Sequence, residues 1–126
     1  MAPPSNGSTN GAHEVPAASR AALERFLDAI WMERGLSKNT LAAYRADLNS
    51  LSRWLTRRGK ELPEGERSDL LDYIAWRVEM GASPRSTARQ LSSFRRFFRY
   101  MVREGVLSAD PTARISMPKV GRPLPK

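Results

Sequence analysis

Residues 82–105 read ASPRSTARQLSSFRRFFRYMVREG. Ser83 stands where a helix N-cap is wanted, Pro84 at the favoured first helical position, and Gly105 just past a natural stop. The spacing predicts a helix from Ser83 to about Glu104. At about 100° per residue, Arg85, Arg89, Arg96, Arg99 and Arg103 fall on one narrow stripe, and Leu91, Phe94, Phe98 and Met101 fall on the opposite side. Such a helix buries its aromatic face against other elements and leaves its arginines outside. No part of the chain alternates with period two for long enough to make a strand, so the partners of this helix are helices.

Working outward, three more helices precede it. The first is predicted from Ser19 to Arg34, with Ser19 as N-cap and Gly35 as the stop, and Leu23, Phe26, Leu27, Ile30 and Trp31 as its apolar stripe. The second opens at the cap candidate Ser37 and runs to about Arg58, with Leu41, Tyr44, Leu48, Leu51 and Leu55 three and four apart. A polar loop with Pro63 and Gly65 follows. The third covers about Ser68 to Met80, with Leu71, Ile74 and Val78 as its expected core face. A short further helix is expected near Asp110–Arg114. The expected fold is all-α, a compact bundle of four main helices plus this short C-terminal helix.

Residues 1–18, rich in Pro, Gly, Ser and Asn, read as a disordered tail, and residues 19–115 as one domain. Residues 116–126, with Pro118, Pro123 and Pro125, read as an extended basic linker. No stretch is long and apolar enough to span a bilayer, and the N-terminus lacks the order of a secretory signal. With no cysteine, disulfides and thiolate metal sites are excluded, and the lone His13 sits in the tail with no ligand partner. A cytoplasmic protein is expected, with no metal and no cofactor.

The net charge is +8, from 21 Lys+Arg against 13 Asp+Glu. Residues 1–81 are balanced, with 11 basic and 11 acidic residues, so the excess lies in residues 82–126, with 10 basic and 2 acidic. The fourth helix has no acidic residue before Glu104, so the usual opposite-charge partners are missing from it. Two readings of its polar face stand side by side. A charged face can simply be solvated. It can also meet a polyanion, with Arg85, Arg89, Arg96 and Arg99 for guanine edges or phosphates, Gln90 for adenine, and Ser86, Ser92 and Ser93 with the first-turn N–H groups for phosphate oxygens. The second helix begins Ser37-Lys38-Asn39-Thr40, where Lys38 and Asn39 suit phosphates and the small Ala42 and Ala43 permit close approach; capping and packing explain Ser37 and Thr40 equally well. Trp31, Trp54 and Trp76 read as core or domain-packing residues, with Trp31 and Trp76 also candidates to face a neighbour.

No metalloprotease, nucleophile-elbow or phosphate-loop motif occurs. The close carboxylate pairs Asp28/Glu33 and Asp69/Asp72 fit helix-end or solvated roles better than acid/base work. From the residues the chain is a binding module, for duplex DNA or, as the alternative, for an acidic protein or membrane surface.

Three segments carry a resemblance: FLDAIWMERGLSKNTLAAYRADL (26–48), ASPRSTARQLSSFRRFFRYMVREG (82–105) and DPTARISMPKVGRPLPK (110–126). From about Leu23 onward the chain resembles the N-terminal core-binding, SAM-like domain of tyrosine site-specific recombinases of the Xer group, nearer the XerD branch than the XerC branch. The pattern Asn39-Thr40, Tyr44, Asp47-Leu48 is typical of that family. The resemblance implies duplex DNA binding in DNA integration and recombination, with cofactor-free cleavage through a phosphotyrosyl intermediate. It implies a tetramer with an XerC-like partner recombinase, and chromosome dimer resolution, hence segregation and cell division, under an FtsK-type translocase. Carried over residue by residue, it places DNA contacts on Lys38, Asn39, Thr40, Ala43 and Arg45 of the second helix. On the fourth they fall on Arg85, Ser86, Arg89 and Gln90, with Ser93 and Arg96 further along. Lys119 and Arg122 lie where the family's linker follows the DNA backbone. The family's catalytic arginines, lysine, histidines and tyrosine have no counterparts here, so the chain alone is expected to be inactive and monomeric, its linker leading to a catalytic domain it does not contain.

Overall fold

The structure, a computed structural model, describes residues 15–116. The 1–14 part of the expected tail, with His13, and the 117–126 part of the expected linker, with Lys119 and Arg122, lie outside the described residues. The described chain forms four α-helices, α1 (Ala17–Arg34), α2 (Lys38–Arg57), α3 (Arg67–Glu79) and α4 (Pro84–Arg103), with a 3-10 turn at Leu62–Glu64 and no strand among the described residues. The class is all-α, as expected. The chain divides into two compact units, Met1–Gly65 and Glu66–Lys126.

In the first unit, α1 and α2 pack on one another, and the 3-10 turn rests on both. Ala22, Leu23, Phe26, Leu27 and Ile30 of α1, Leu48, Leu51 and Leu55 of α2, and Leu62 are buried. The connection is short because Gly35 takes φ 62°, a left-handed conformation that ends α1 with a hydrogen bond from its N–H to the Trp31 carbonyl at 2.9 Å. Ser37 then caps α2 by accepting the Thr40 N–H at 3.1 Å.

Ser19 departs from its expected role. The N-cap of α1 is Pro16, and Ser19 lies inside the helix, fully buried. Its hydroxyl donates to Glu61 Oε1 at 2.6 Å and accepts the Leu62 N–H at 2.7 Å, while its own N–H reaches the same carboxylate at 3.0 Å. This joint ties α1 to the turn that sequence periodicity did not show. The turn carries its own reciprocal cap between Glu61 and Glu64.

In the second unit, Leu70 and Tyr73 of α3 are buried, as are Leu91, Phe94, Phe97, Phe98 and Met101 of α4. Tyr73 sets its ring edge-on to Phe94 at 5.5 Å and donates its hydroxyl to Gln90 Oε1 at 3.2 Å. The expected core face of α3 is corrected: Leu71 and Val78 are 37% and 55% exposed. The helix is turned so that Tyr73, not Leu71 or Val78, meets α4. Its start is fixed by a capping box between Glu66 and Asp69.

The expected short helix near Asp110–Arg114 is a turn instead. Asp110 accepts the Thr112 N–H at 2.8 Å and the Thr112 hydroxyl at 2.7 Å, a side-chain-capped turn that competes with helix. Arg95 holds it to α4, donating to the Thr112 carbonyl at 3.3 Å and the Ile115 carbonyl at 2.9 Å.

Candidate nucleic-acid interface

The arginine stripe of α4 starts from its cap. Ser83 accepts the Ser86 N–H at 3.1 Å, which fixes the first turn and the direction of every side chain after it. Arg85, Arg89, Arg99 and Arg103 are exposed and Arg96 is half-buried. Arg85 and Arg96 make no ion pair among the described residues. Arg99 lies 3.9 Å from Asp110, long for an ion pair, and Arg103 pairs with its neighbour Glu104 at 3.2 Å while lying over Tyr100. Both are contacts of the weak kind, the first because it is long and the second because it is exposed. The stripe is neither buried nor neutralised as a whole, and no acidic residue of α4 interrupts it.

Two expected contacts do not lie on that surface. Gln90 and Ser93 are buried at 3% and 2% exposure. Gln90 is held by the Tyr73 hydroxyl, and the Ser93 hydroxyl donates to the Arg89 carbonyl at 3.4 Å. The helical wheel carries the signal that separates them from the arginines: Gln90 shares the sector of Phe94 and Met101, and Ser93 borders Phe97. Ser86 is half-buried at the edge of the arginine face. Arg95, eighty degrees off the stripe, is spent on the Thr112 and Ile115 carbonyls, and sequence reading gave it no role.

In the first unit, Lys38 and Asn39 are exposed and Thr40 and Ala43 half-buried, at the start of α2 where the free N–H groups of the first turn favour an anion. Thr40 also accepts the Ser37 hydroxyl at 3.0 Å. Arg45 is exposed but engaged: its guanidinium forks onto the Glu24 carboxylate of α1, with Nη2 donating to Oε1 at 3.2 Å and Nη1 to Oε2. Hydrogen bonding to Glu24 raises its pKa, burial opposes this, and the charges of Glu24 and Asp28 add to the rise. Glu24 was not singled out in the sequence. The hairpin register shows it, because Phe26 meets Tyr44 edge-on at 6.1 Å and Arg45, one residue on, reaches back to the preceding turn of α1.

Each tyrosine has structural work. Tyr44 packs on Phe26, Tyr73 is buried on Phe94, and Tyr100 lies beneath Arg103. Among the tryptophans, Trp31 is 47% exposed, Trp54 lies under Arg58 at 5.0 Å, and Trp76 leans on Tyr73 at 5.8 Å. No cluster of His, Asp or Glu suited to a metal ion occurs among the described residues, and no described helix is long and apolar enough to cross a membrane.

The chain is 47% identical over 112 residues to the tyrosine recombinase XerD of Pseudomonas putida, covering 89% of this chain and 38% of that protein. It is 49% identical over 104 residues to XerD of Pseudomonas aeruginosa, covering 82% and 35%. XerD of Xanthomonas campestris is 47% identical over 105 residues, 83% of this chain and 32% of that protein. The chain thus spans about a third of the length of the relatives it matches. Residues 23–105, from the middle of α1 to the glycine that ends α4, match the family described as the phage integrase N-terminal SAM-like domain, and to that family the chain belongs.

Proposed function

We propose that this chain is the DNA-holding part of a XerD-like tyrosine recombinase. The observation that carries the reading is the exposed arginine stripe of α4, set on a helix whose aromatic face is buried and whose length has no acidic residue. Its relatives are tyrosine recombinases, which supports DNA as the polyanion. In this reading Arg85, Ser86, Arg89, Arg96 and Arg99 meet a duplex from the second unit, and Lys38, Asn39, Thr40 and Ala43 meet it from the first. Lys119 and Arg122 add phosphate contacts. Gln90 and Ser93 hold the helix and read no base. In this reading strand cleavage belongs to the part of the recombinase that this chain does not span. The XerC-like partner, the tetramer, dimer resolution under a translocase and a cytoplasmic setting follow from the same reading for the whole recombinase.

Membrane binding fits the residues less well. Phe94 and Phe98, which an interfacial helix needs on its outer face, are completely buried.

The test is titration of the chain with a duplex carrying a XerD-type half-site and with a random duplex, across a salt series. Binding should weaken with a log–log slope of about −0.9 per phosphate contact. Arg89→Ala should cost about 1–3 kcal/mol on the half-site and less on the random duplex, whereas Lys119→Ala should weaken both alike. Equal losses for Arg89→Ala on the two duplexes reduce it to a phosphate contact. Binding to anionic vesicles with none to either duplex overturns the reading.

A further inference from the structure

We propose that Glu24 withholds Arg45 from DNA and so sets the affinity of the first unit. The inference rests on the DNA-holding function proposed above. Arg45 lies on the same stripe of α2 as Lys38, Ala42 and Asn49, about 100° per residue along the helix, and it is exposed. By position it belongs with Lys38, the basic residue at the start of α2. Its guanidinium is nevertheless taken by both oxygens of the Glu24 carboxylate.

The surroundings of the pair look like an anion site already filled. An open pocket of about 460 Å³ is lined by Val15, Arg20, Leu23, Glu24, Arg45 and Asn49. Two arginines and one carboxylate line it, and Arg20 donates to the Val15 carbonyl at 2.9 Å. Carboxylate and phosphate present the same two-oxygen edge to a guanidinium, so Glu24 occupies the place a DNA phosphate would take. Glu24 is part of the chain, and its effective concentration at Arg45 is that of a tethered partner. A phosphate arriving from a duplex must displace it. Both side chains are close to half exposed, so the pair is of the weak, screened kind and the affinity it withholds is correspondingly small.

The test uses the full chain as wild type, Glu24→Gln, Arg45→Gln and the double variant, on one labelled duplex across a salt series. Glu24→Gln is expected to bind about two- to fivefold tighter at low salt, with the slope steeper by about 0.9 for one added phosphate contact. Arg45→Gln alone should bind as wild type does. In the double variant the gain should vanish, which separates release of Arg45 from a general loss of negative charge. Glu24→Ala should repeat the gain, and thermal melts confirm that each variant is folded. The inference is overturned by an unchanged Glu24→Gln, by a gain that persists in the double variant, or by weakened binding of Arg45→Gln alone. If the wild-type chain binds no duplex, the DNA reading fails and takes this one with it. If it binds but ignores Glu24→Gln, only this one fails.

Discussion

A serine near the start of an apolar run is usually read as a cap, and Ser19 shows what that reading omits. Its hydroxyl both donates and accepts inside the first unit, so its loss leaves the Leu62 N–H without its partner in a buried place. Ser19→Ala should therefore destabilise the chain by about 1–3 kcal/mol, measured by urea denaturation. Ser37→Ala, which removes an exposed cap, should cost about 1 kcal/mol. Equal costs for the two would mean that the joint between α1 and the 3-10 turn adds nothing beyond capping. Arg95 is the matching case in the second unit. Arg95→Met keeps the apolar stem on α4 but removes two charge-assisted hydrogen bonds to carbonyls. The amides of Thr112 and Ile115 should then exchange with solvent at least about tenfold faster, the equivalent of about 1.4 kcal/mol. Unchanged exchange would show that Asp110 alone holds the turn.

At the scale of the element, the helices whose ends carry their own chemistry were legible, and α3 was legible only as a helix. Ser37 and Ser83 cap α2 and α4 as their sequences predict, and Gly35 ends α1 in the left-handed conformation it alone adopts cheaply. On α3, two apolar stripes lie about 100° apart, Leu70 with Tyr73 and Leu71 with Ile74 and Val78. Periodicity counts three matches for the second stripe and two for the first, so it chooses the second. Packing chooses the first, because a buried tyrosine ring brings more area than a leucine and its hydroxyl finds Gln90. Gln90 leaves the arginine face for a separate reason, its place on α4 in the sector of Phe94 and Met101, where the Tyr73 hydroxyl reaches it. The choice of α3 face is measurable. Leu70→Ala should cost about 2–5 kcal/mol as a cavity in the core, and Leu71→Ala about 0.5 kcal/mol as a surface change. The reverse order would restore the face that periodicity favours.

Across the whole molecule, the charge distribution predicts that salt acts on folding and on the proposed DNA binding with opposite signs. The net charge of +8 is concentrated in residues 82–126. Along α4, Arg85 with Arg89, Arg96 with Arg99, and Arg99 with Arg103 are neighbours three or four apart, and like charges at that spacing each cost about 0.2–0.5 kcal/mol. The opposite-charge contacts of Arg99 and Arg103 are of the weak kind: Arg99 with Asp110 is long at 3.9 Å, and Arg103 pairs with its exposed sequence neighbour Glu104. Contacts of this kind contribute little, so along α4 the like-charge repulsion outweighs them. Screening removes both, and the repulsion is the larger loss. The melting temperature of the chain should therefore rise by a few degrees, about 2–5 °C, between about 50 and 500 mM salt. Duplex affinity should fall steeply over the same range. Circular dichroism melts and anisotropy titrations on the same samples measure the two signs together. A melting temperature that falls with salt would mean that the arginines of α4 are neutralised within the fold, and a stripe neutralised in that way has no charge left to offer a duplex.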